Sequence, residues 1–256
     1  IRGSWSLAAS SEKYVCVRQT ATTDRYIKAI RPVAPSGTHH TVLMLGTPDA
    51  PDGIVDCTSA LIKPAIYGSG VGTEALVLPD GVAVHVRPGQ QLLLNLHLFN
   101  ATDATITDDS GIDVLEATVA EVQHEAGVVL AGKAAGLQVV PGASTQTGQC
   151  TTPAGVTAFA IGPHMHTRGT HMKVSYANAN GDNLRVLYDQ DYTFDEQRFA
   201  LLAQHMVTTA GGKLTVECSY FNASGTTIGF GESTNEEMCY ALVFAYPPPT
   251  VESCTQ

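Results

Sequence analysis

The 256-residue chain carries nine histidines against a single tryptophan, and three histidine groups have types and spacings that could do chemistry. The first is His164-Met165-His166. Residues i and i+2 of a strand project to one face, so the two imidazoles would converge as half of a metal site while Met165 packs on the other side. Taken alone, such a pair is as readily two solvent-facing histidines. Here Pro163 and Gly169 flank it and an apolar run, residues 157–161, precedes it. The second group, His39-His40, poses a geometric problem, because adjacent strand residues point to opposite faces. Both could meet one ion only if the backbone bulges there or the rings use different nitrogens. The third, His97, lies in the apolar run QQLLLNLHLFN on the face shared by Leu93 and Asn95; without other evidence it reads as a core histidine with one hydrogen bond. His85, His124, His171 and His205 are isolated and take the structural reading, although His171, close behind the His164/His166 pair, could line a cleft.

The elements that must position these side chains read as strands. Turn chemistry is dense, as in Pro79-Asp80-Gly81, Arg87-Pro88-Gly89, Asn180-Gly181-Asp182 and Ala210-Gly211-Gly212. Between the turns, Val82, Val84 and Val86 alternate with Ala83 and His85, and Leu214, Val216, Cys218 and Tyr220 alternate with Thr215, Glu217 and Ser219. Period-two patterning bounded by Gly, Pro and Asp predicts an antiparallel all-β protein. Residues 195–206 fit one short helix through Phe199, Leu202 and Met206, or equally a loop and strand. The length suits two sandwiches rather than one. The boundary is expected near residue 122, giving domains of residues 1–122 and 123–256. No internal repeat is apparent. Residues 1–4 read as a remnant of processing or cloning, with no charged-then-apolar leader before them.

Composition excludes several classes. A formal net charge of −10 leaves no basic footprint for nucleic acid. With 44% hydrophobic and 15% charged residues the chain should pack a core. No apolar run reaches the length of about 20 residues that a membrane helix needs; the nearest, residues 127–142, is broken by Lys133. Six cysteines without a C-x-x-C pair fit three disulfides in an oxidising compartment, and 15 pairings remain open. Two sequons, Asn100-Ala101-Thr102 and Asn222-Ala223-Ser224, are close to chance at this length.

Four blocks occur together in order: His39-His40 before an apolar strand, the strand with His97, His164-x-His166, and Gly229-Phe230-Gly231 followed by Glu236-Glu237-Met238-Cys239 and Tyr246-Pro247. In this the chain resembles, over nearly its whole length, the copper type II ascorbate-dependent monooxygenases, which include dopamine β-monooxygenase and the peptidylglycine α-hydroxylating enzyme. The last block looks closer to the dopamine branch. The resemblance implies two antiparallel, jelly-roll-like β-sandwich domains with an interdomain cleft, and two copper ions. His39, His40 and His97 match the electron-transfer ligands in the first domain; His164, His166 and Met238 match the oxygen-activating, catalytic ligands in the second. A thioether is soft and suits Cu(I), and zinc makes little use of it. Tyr14 and Asn95 are implied neighbours of the first site. The implied disulfides are Cys16–Cys57, Cys150–Cys254 and Cys218–Cys239.

The implied activity is hydroxylation of an aliphatic C–H in a small organic substrate, an arylalkylamine being one candidate, with O2 and with ascorbate as electron donor, in a secreted or otherwise extracytoplasmic protein. The same ligand set would serve a non-catalytic copper-binding or copper-carrying protein, and His39, His40 and His97 alone would serve a zinc enzyme. The chain also departs from the peptide-amidating pattern. Gly162 stands where that branch has an arginine and Leu242 where it has a tyrosine, which argues against a C-terminal glycine substrate. Arg168 is expected to be structural rather than a clamp for a substrate anion. No oligomeric state can be read.

Overall fold

A computed structural model describes residues 1–58, 64–70, 72–194, 196–231, 233–249 and 253–255. The chain divides into two units, Ile1–Glu125 and Ala126–Gln256. The first holds strands β1 (Arg2–Leu7), β2 (Ser11–Thr20), β3 (Arg25–Val33), β4 (Thr38–Gly46), β5 (Gly53–Asp56), β6 (Ala65–Gly70), β7 (Leu76–Val77), β8 (Val82–Val86), β9 (Gln91–Asn100) and β10 (Ile106–Ala117). The second holds β11 (His124–Lys133), β12 (Gln138–Val139), β13 (Gly142–Thr152), β14 (Thr157–His164), β15 (Gly169–Ala177), β16 (Arg185–Asp191), β17 (Ala200–Val207), β18 (Gly212–Asn222), β19 (Ile228–Gly229), β20 (Cys239–Tyr246) and β21 (Ser253–Thr255). Among the described residues the only helical element is a single 3-10 turn, Val119–Glu121. The all-β expectation therefore holds, and among the described residues no helix is long and apolar enough to cross a membrane.

In the first unit the order β5-β2-β9-β4-β6 forms one antiparallel sheet and β1-β10-β3-β8 another. Strand β1 buries every second residue, and its Gly3 lies against Val17 and Leu96 of the opposite sheet, where a Cβ would collide. Central β9 is buried on both faces. Leu92, Leu94, Leu96 and Leu98 turn one way, each worth about 1.5–3 kcal/mol of apolar burial. Leu93, Asn95 and His97 turn the other way, and Leu93 joins Cys16 and Met44 in a small second core. In the second unit, β11-β20-β14-β17 and β13-β18-β15-β16 enclose Ile161, Met172, Val174, Val216 and Cys218.

Three disulfides are present: Cys16–Cys57, Cys150–Cys254 and Cys218–Cys239. The last two join strands of different sheets, β13 to β21 and β18 to β20, so they fasten the second sandwich through its core.

Two expectations need correction, and one open alternative is decided. Residues 1–4 are no loose remnant: Arg2, Gly3 and Ser4 pair with Gly111, Ser110 and Asp109, and the Ile1 ammonium donates to the Ile112 carbonyl at 3.0 Å. Of the two readings of residues 195–206, the loop and strand holds: residues 200–207 pair with β14, the ladder overriding an apolar spacing of three and four, and Asp195 lies outside the described residues. A short internal repeat does exist. Phe99-Asn100-Ala101-Thr102 and Phe221-Asn222-Ala223-Ser224 close β9 and β18 with the same corner. Each asparagine is 1% exposed. Asn222 Nδ2 donates to the carbonyls of Val139 and Thr226, and its Oδ1 accepts from the Ser224 amide and hydroxyl. Asn100 does the same with Ala8, Ala104 and Thr102. The sequons are thus buried corners whose amides are fully engaged.

Two stability outcomes follow. Asn222→Ala should cost about 2–3 kcal/mol in urea unfolding, because buried carbonyls lose their donors; a neutral substitution would contradict the corner's role. Replacing Cys150 and Cys254 by serine opens a separation of 104 residues and should cost up to about 4–5 kcal/mol, more than the about 3 kcal/mol for the 21-residue separation of Cys218 and Cys239. The reverse order in denaturant midpoints would contradict the chain-entropy account.

Candidate metal centres

The first group of histidines sits where β4 crosses β9. Thr38 pairs with Leu98 and His40 with His97, and the register shifts between them, so His39 is the extra residue of a β-bulge. This β-bulge re-aims one side chain, and it is what lets adjacent histidines face one point. Ligand atoms of His39, His40 and His97 all lie within 4.8 Å of one another. The Nδ1 atoms of His39 and His97 are 3.2 and 3.1 Å from His40 Nδ1. Nitrogens bound about 2.0–2.1 Å from a metal, at angles between square and tetrahedral, are about 2.9–3.4 Å apart. The spacing therefore fits a bound ion.

His97 is fixed from two sides. Its Nε2 donates to Glu12 Oε1 at 2.5 Å, which leaves the Nδ1 lone pair for the cluster. Tyr14, its cross-strand partner, stacks on the ring at 4.4 Å with an interplanar angle of 5°. Burial pushes the His97 pKa down against the opposing pull of Glu12. Sequence reasoning missed Glu12, which reaches His97 diagonally from β2; its place two residues before Tyr14 on the same face is the signal that could have found it. Asn95 turns to a different task. Its Nδ2 donates to the Thr58 carbonyl at 2.7 Å and lies against the sulfurs of Cys16 and Cys57, so it holds the disulfide's surroundings rather than an imidazole.

The second pair lies at the end of β14. The rings of His164 and His166 are 5.4 Å apart, edge to face at 86°. His164 Nδ1 donates to Gln197 Oε1 at 2.8 Å, and Gln197 is oriented by its own Nε2 donating to the Phe194 carbonyl. His166 Nδ1 donates to the Glu236 carbonyl at 3.1 Å. Both rings thus carry their proton on Nδ1 and keep the Nε2 lone pair for a ligand. Burial lowers both pKa values, that of His166 to about 3, with the neighbouring His164 adding to the effect. Neutral imidazole is the form that binds metal.

Met238 is 3% exposed and stands immediately before β20, two residues after the carbonyl that holds His166. Its own carbonyl accepts from Tyr220 Oη at 2.7 Å, and the next residue, Cys239, is bridged to Cys218. Of the glycines of the preceding block, Gly231 has a steric reason, since a Cβ there would overlap the Glu236 carboxylate, while a Cβ on Gly229 would meet nothing closer than 4.0 Å.

The surroundings explain the departures from the amidating pattern. The Phe199 ring occupies the space above Gly162, where a Cβ would come within 2.6 Å of it, and packs edge-on against Phe244 at 5.4 Å. Arg168 is committed internally, donating to the Asn235 carbonyl at 3.0 Å. Three of the isolated histidines have local partners: His85 between Asp24 and Glu125, His171 beside Asp189, His205 beside Tyr246. Among the described residues, His39, His40 and His97 are the one cluster of three or more His, Cys, Asp or Glu side chains that could hold a metal.

Comparison with known proteins agrees with this donor chemistry. The family model described as "Copper type II ascorbate-dependent monooxygenase, C-terminal domain" matches residues 124–256. The mouse DBH-like monooxygenase protein 1 is 27% identical over 229 residues, covering 81% of this chain and 36% of that protein. The human putative DBH-like monooxygenase protein 2 is 29% identical over 245 residues, 85% of this chain and 48% of that protein. Dog dopamine beta-hydroxylase is 28% identical over 180 residues, 64% of this chain and 28% of that protein. The chain therefore spans less than half the length of these relatives. It belongs to the copper type II ascorbate-dependent monooxygenase family, on its dopamine β-monooxygenase branch.

Proposed function

We propose that this chain is a copper-dependent monooxygenase that hydroxylates an aliphatic C–H of a small organic substrate, with O2 as oxidant and ascorbate as electron donor. The observation that carries the reading is the gathering of the donors: the Nδ1 atoms of His39 and His97 lie 3.2 and 3.1 Å from His40 Nδ1, and His164 and His166 give their Nδ1 protons to Gln197 and the Glu236 carbonyl. Copper bound there would supply the electron transfer and oxygen activation that no side chain can supply.

His39, His40 and His97 would hold the electron-transfer ion, an all-imidazole set that suits copper in both oxidation states. His164, His166 and Met238 would hold the second ion, and the thioether would favour its reduced form. Phe194, edge-on to His166 at 6.1 Å, and Phe199 supply apolar surface beside this site, which suits an uncharged C–H-bearing group. The three disulfides support an extracytoplasmic, oxidising compartment, secretion included.

Metal content and turnover test the reading together. Fully loaded protein should hold two copper ions per chain and His164→Ala one, and ascorbate-driven O2 uptake should be coupled to a hydroxylated product in a screen of small substrates. Zero or one ion, with His164→Ala unchanged, would contradict it. Two ions without coupled turnover on any substrate would leave a copper-binding protein.

Proton competition gives a second test. Burial lowers the His166 pKa to about 3 and moves that of His164 in the same direction, so copper need displace little proton from His166 at pH 5. In a His40→Ala background, Cu(I) affinity measured against a competing chelator should fall by less than about thirtyfold from pH 7 to pH 5, the loss that one ordinary imidazole would give. Two imidazoles with ordinary pKa values of about 6.5 would lose about a thousandfold, and a loss of that size would rule out the neutral pair.

A further inference from the structure

Among the described residues, one acidic side chain is fully buried: Glu237, at 0% exposure. Its Oε2 accepts from the His166 backbone amide at 3.0 Å and its Oε1 from the Arg168 amide at 2.8 Å. The Arg168 guanidinium is 4.0 Å away, and burial pushes the carboxyl pKa up while these amides pull it down. The backbone of Glu237 is itself pinned, its amide donating to Gly229 and its carbonyl accepting from Gly231. On one side of it stands the Glu236 carbonyl that holds the His166 ring, and on the other stands Met238.

We propose that Glu237 is the positioning residue of the second site: its carboxylate clamps the turn after His164 to the segment presenting Met238, and so sets the thioether and the His166 imidazole relative to each other. This rests on the reading of His164, His166 and Met238 as ligands. The chemistry of the group explains why it is an acid. An ionised carboxylate accepts on both oxygens, whereas an amide of the same shape offers one acceptor and one donor arm. Two converging backbone amides need two acceptors, and a glutamine would turn its NH2 toward one of them. A buried carboxylate is a poor device for stability alone, since an apolar group of similar volume does as well or better. It is a good device for fixing geometry, because it joins residues 69 and 71 positions apart through two directional bonds. Thr167 Oγ1 and Arg168 Nη1 add bonds to Thr234 and Asn235 along the same seam.

The test uses the full chain and its Glu237→Gln, Glu237→Asp and Met238→Ala variants. In Cu(I)-loaded wild type, X-ray absorption should show a sulfur scatterer that Met238→Ala removes. In Glu237→Gln that scatterer should weaken or vanish while imidazole ligation at the copper persists, and Cu(I) affinity should drop about 10- to 100-fold. In metal-free protein, exchange of the His166 or Arg168 backbone amide should speed by at least about tenfold. Glu237→Asp, which keeps the charge but is one methylene short, serves if the glutamine variant does not fold, and should also lose the sulfur. A folded Glu237 variant with wild-type sulfur scattering and affinity would overturn the proposal. If the wild type shows no sulfur that Met238→Ala removes, the ligand reading has failed. Amide exchange then decides the clamp separately: faster exchange supports it, and unchanged exchange overturns it.

Discussion

A histidine nitrogen can serve a cation only when its lone pair is bare and held in place, and a neutral ring has one such nitrogen at a time. The rest of this structure is arranged around that constraint. Three of the five candidate imidazoles have the other nitrogen's proton taken by a defined acceptor: Glu12 Oε1 for His97, Gln197 Oε1 for His164 and the Glu236 carbonyl for His166. The outcome differs between the units. In the first, Nδ1 faces the cluster; in the second, Nδ1 is bonded to Gln197 or to the Glu236 carbonyl. Burial adds to this by disfavouring the charged rings, so proton and metal compete weakly.

The strands serve the same end. A bulge at His39 solves the problem of two adjacent residues on a pleated ladder. Tyr14 stacks on His97 from the neighbouring strand and blocks its rotation. In the second unit the Cys218–Cys239 bridge and the Tyr220 hydroxyl fix the backbone beside Met238. Buried asparagine corners end β9 and β18, the strands that carry His97 and Cys218, and keep each from fraying. Local rigidity is what a site needs if small displacements are to cost metal affinity.

Much of this was legible in the sequence, because strands and their faces follow a period of two that needs no partner. His97 beside Leu93 and Asn95 and the all-β class came from that rule, whereas β14 ends at His164 and leaves His166 just beyond the strand. Reading the five histidines and Met238 as candidate ligands required more, namely four blocks in order and a family to compare them with. What stayed hidden depends on long-range contacts. The bulge at His39 is defined by β9, and Glu12, Gln197 and Glu237 act on residues 85, 33 and 71 positions away. The strand at residues 200–207 was ambiguous because Phe199, Leu202 and Met206 fit a helical face as well as an edge strand. The repeated Phe-Asn-Ala corner was visible as letters, but its meaning lay in the carbonyls of Leu7, Ala8 and Val139, which only the fold brings to it.

The most direct measurement of the central claim is the protonation of individual ring nitrogens in the metal-free protein, read from long-range proton–nitrogen correlations of 15N-labelled histidines at pH 7. The account predicts a neutral His97 with its proton on Nε2, and neutral His164 and His166 with their protons on Nδ1. Imidazolium signals, rapid averaging between tautomers, or the opposite tautomer at His164 or His166 would contradict it.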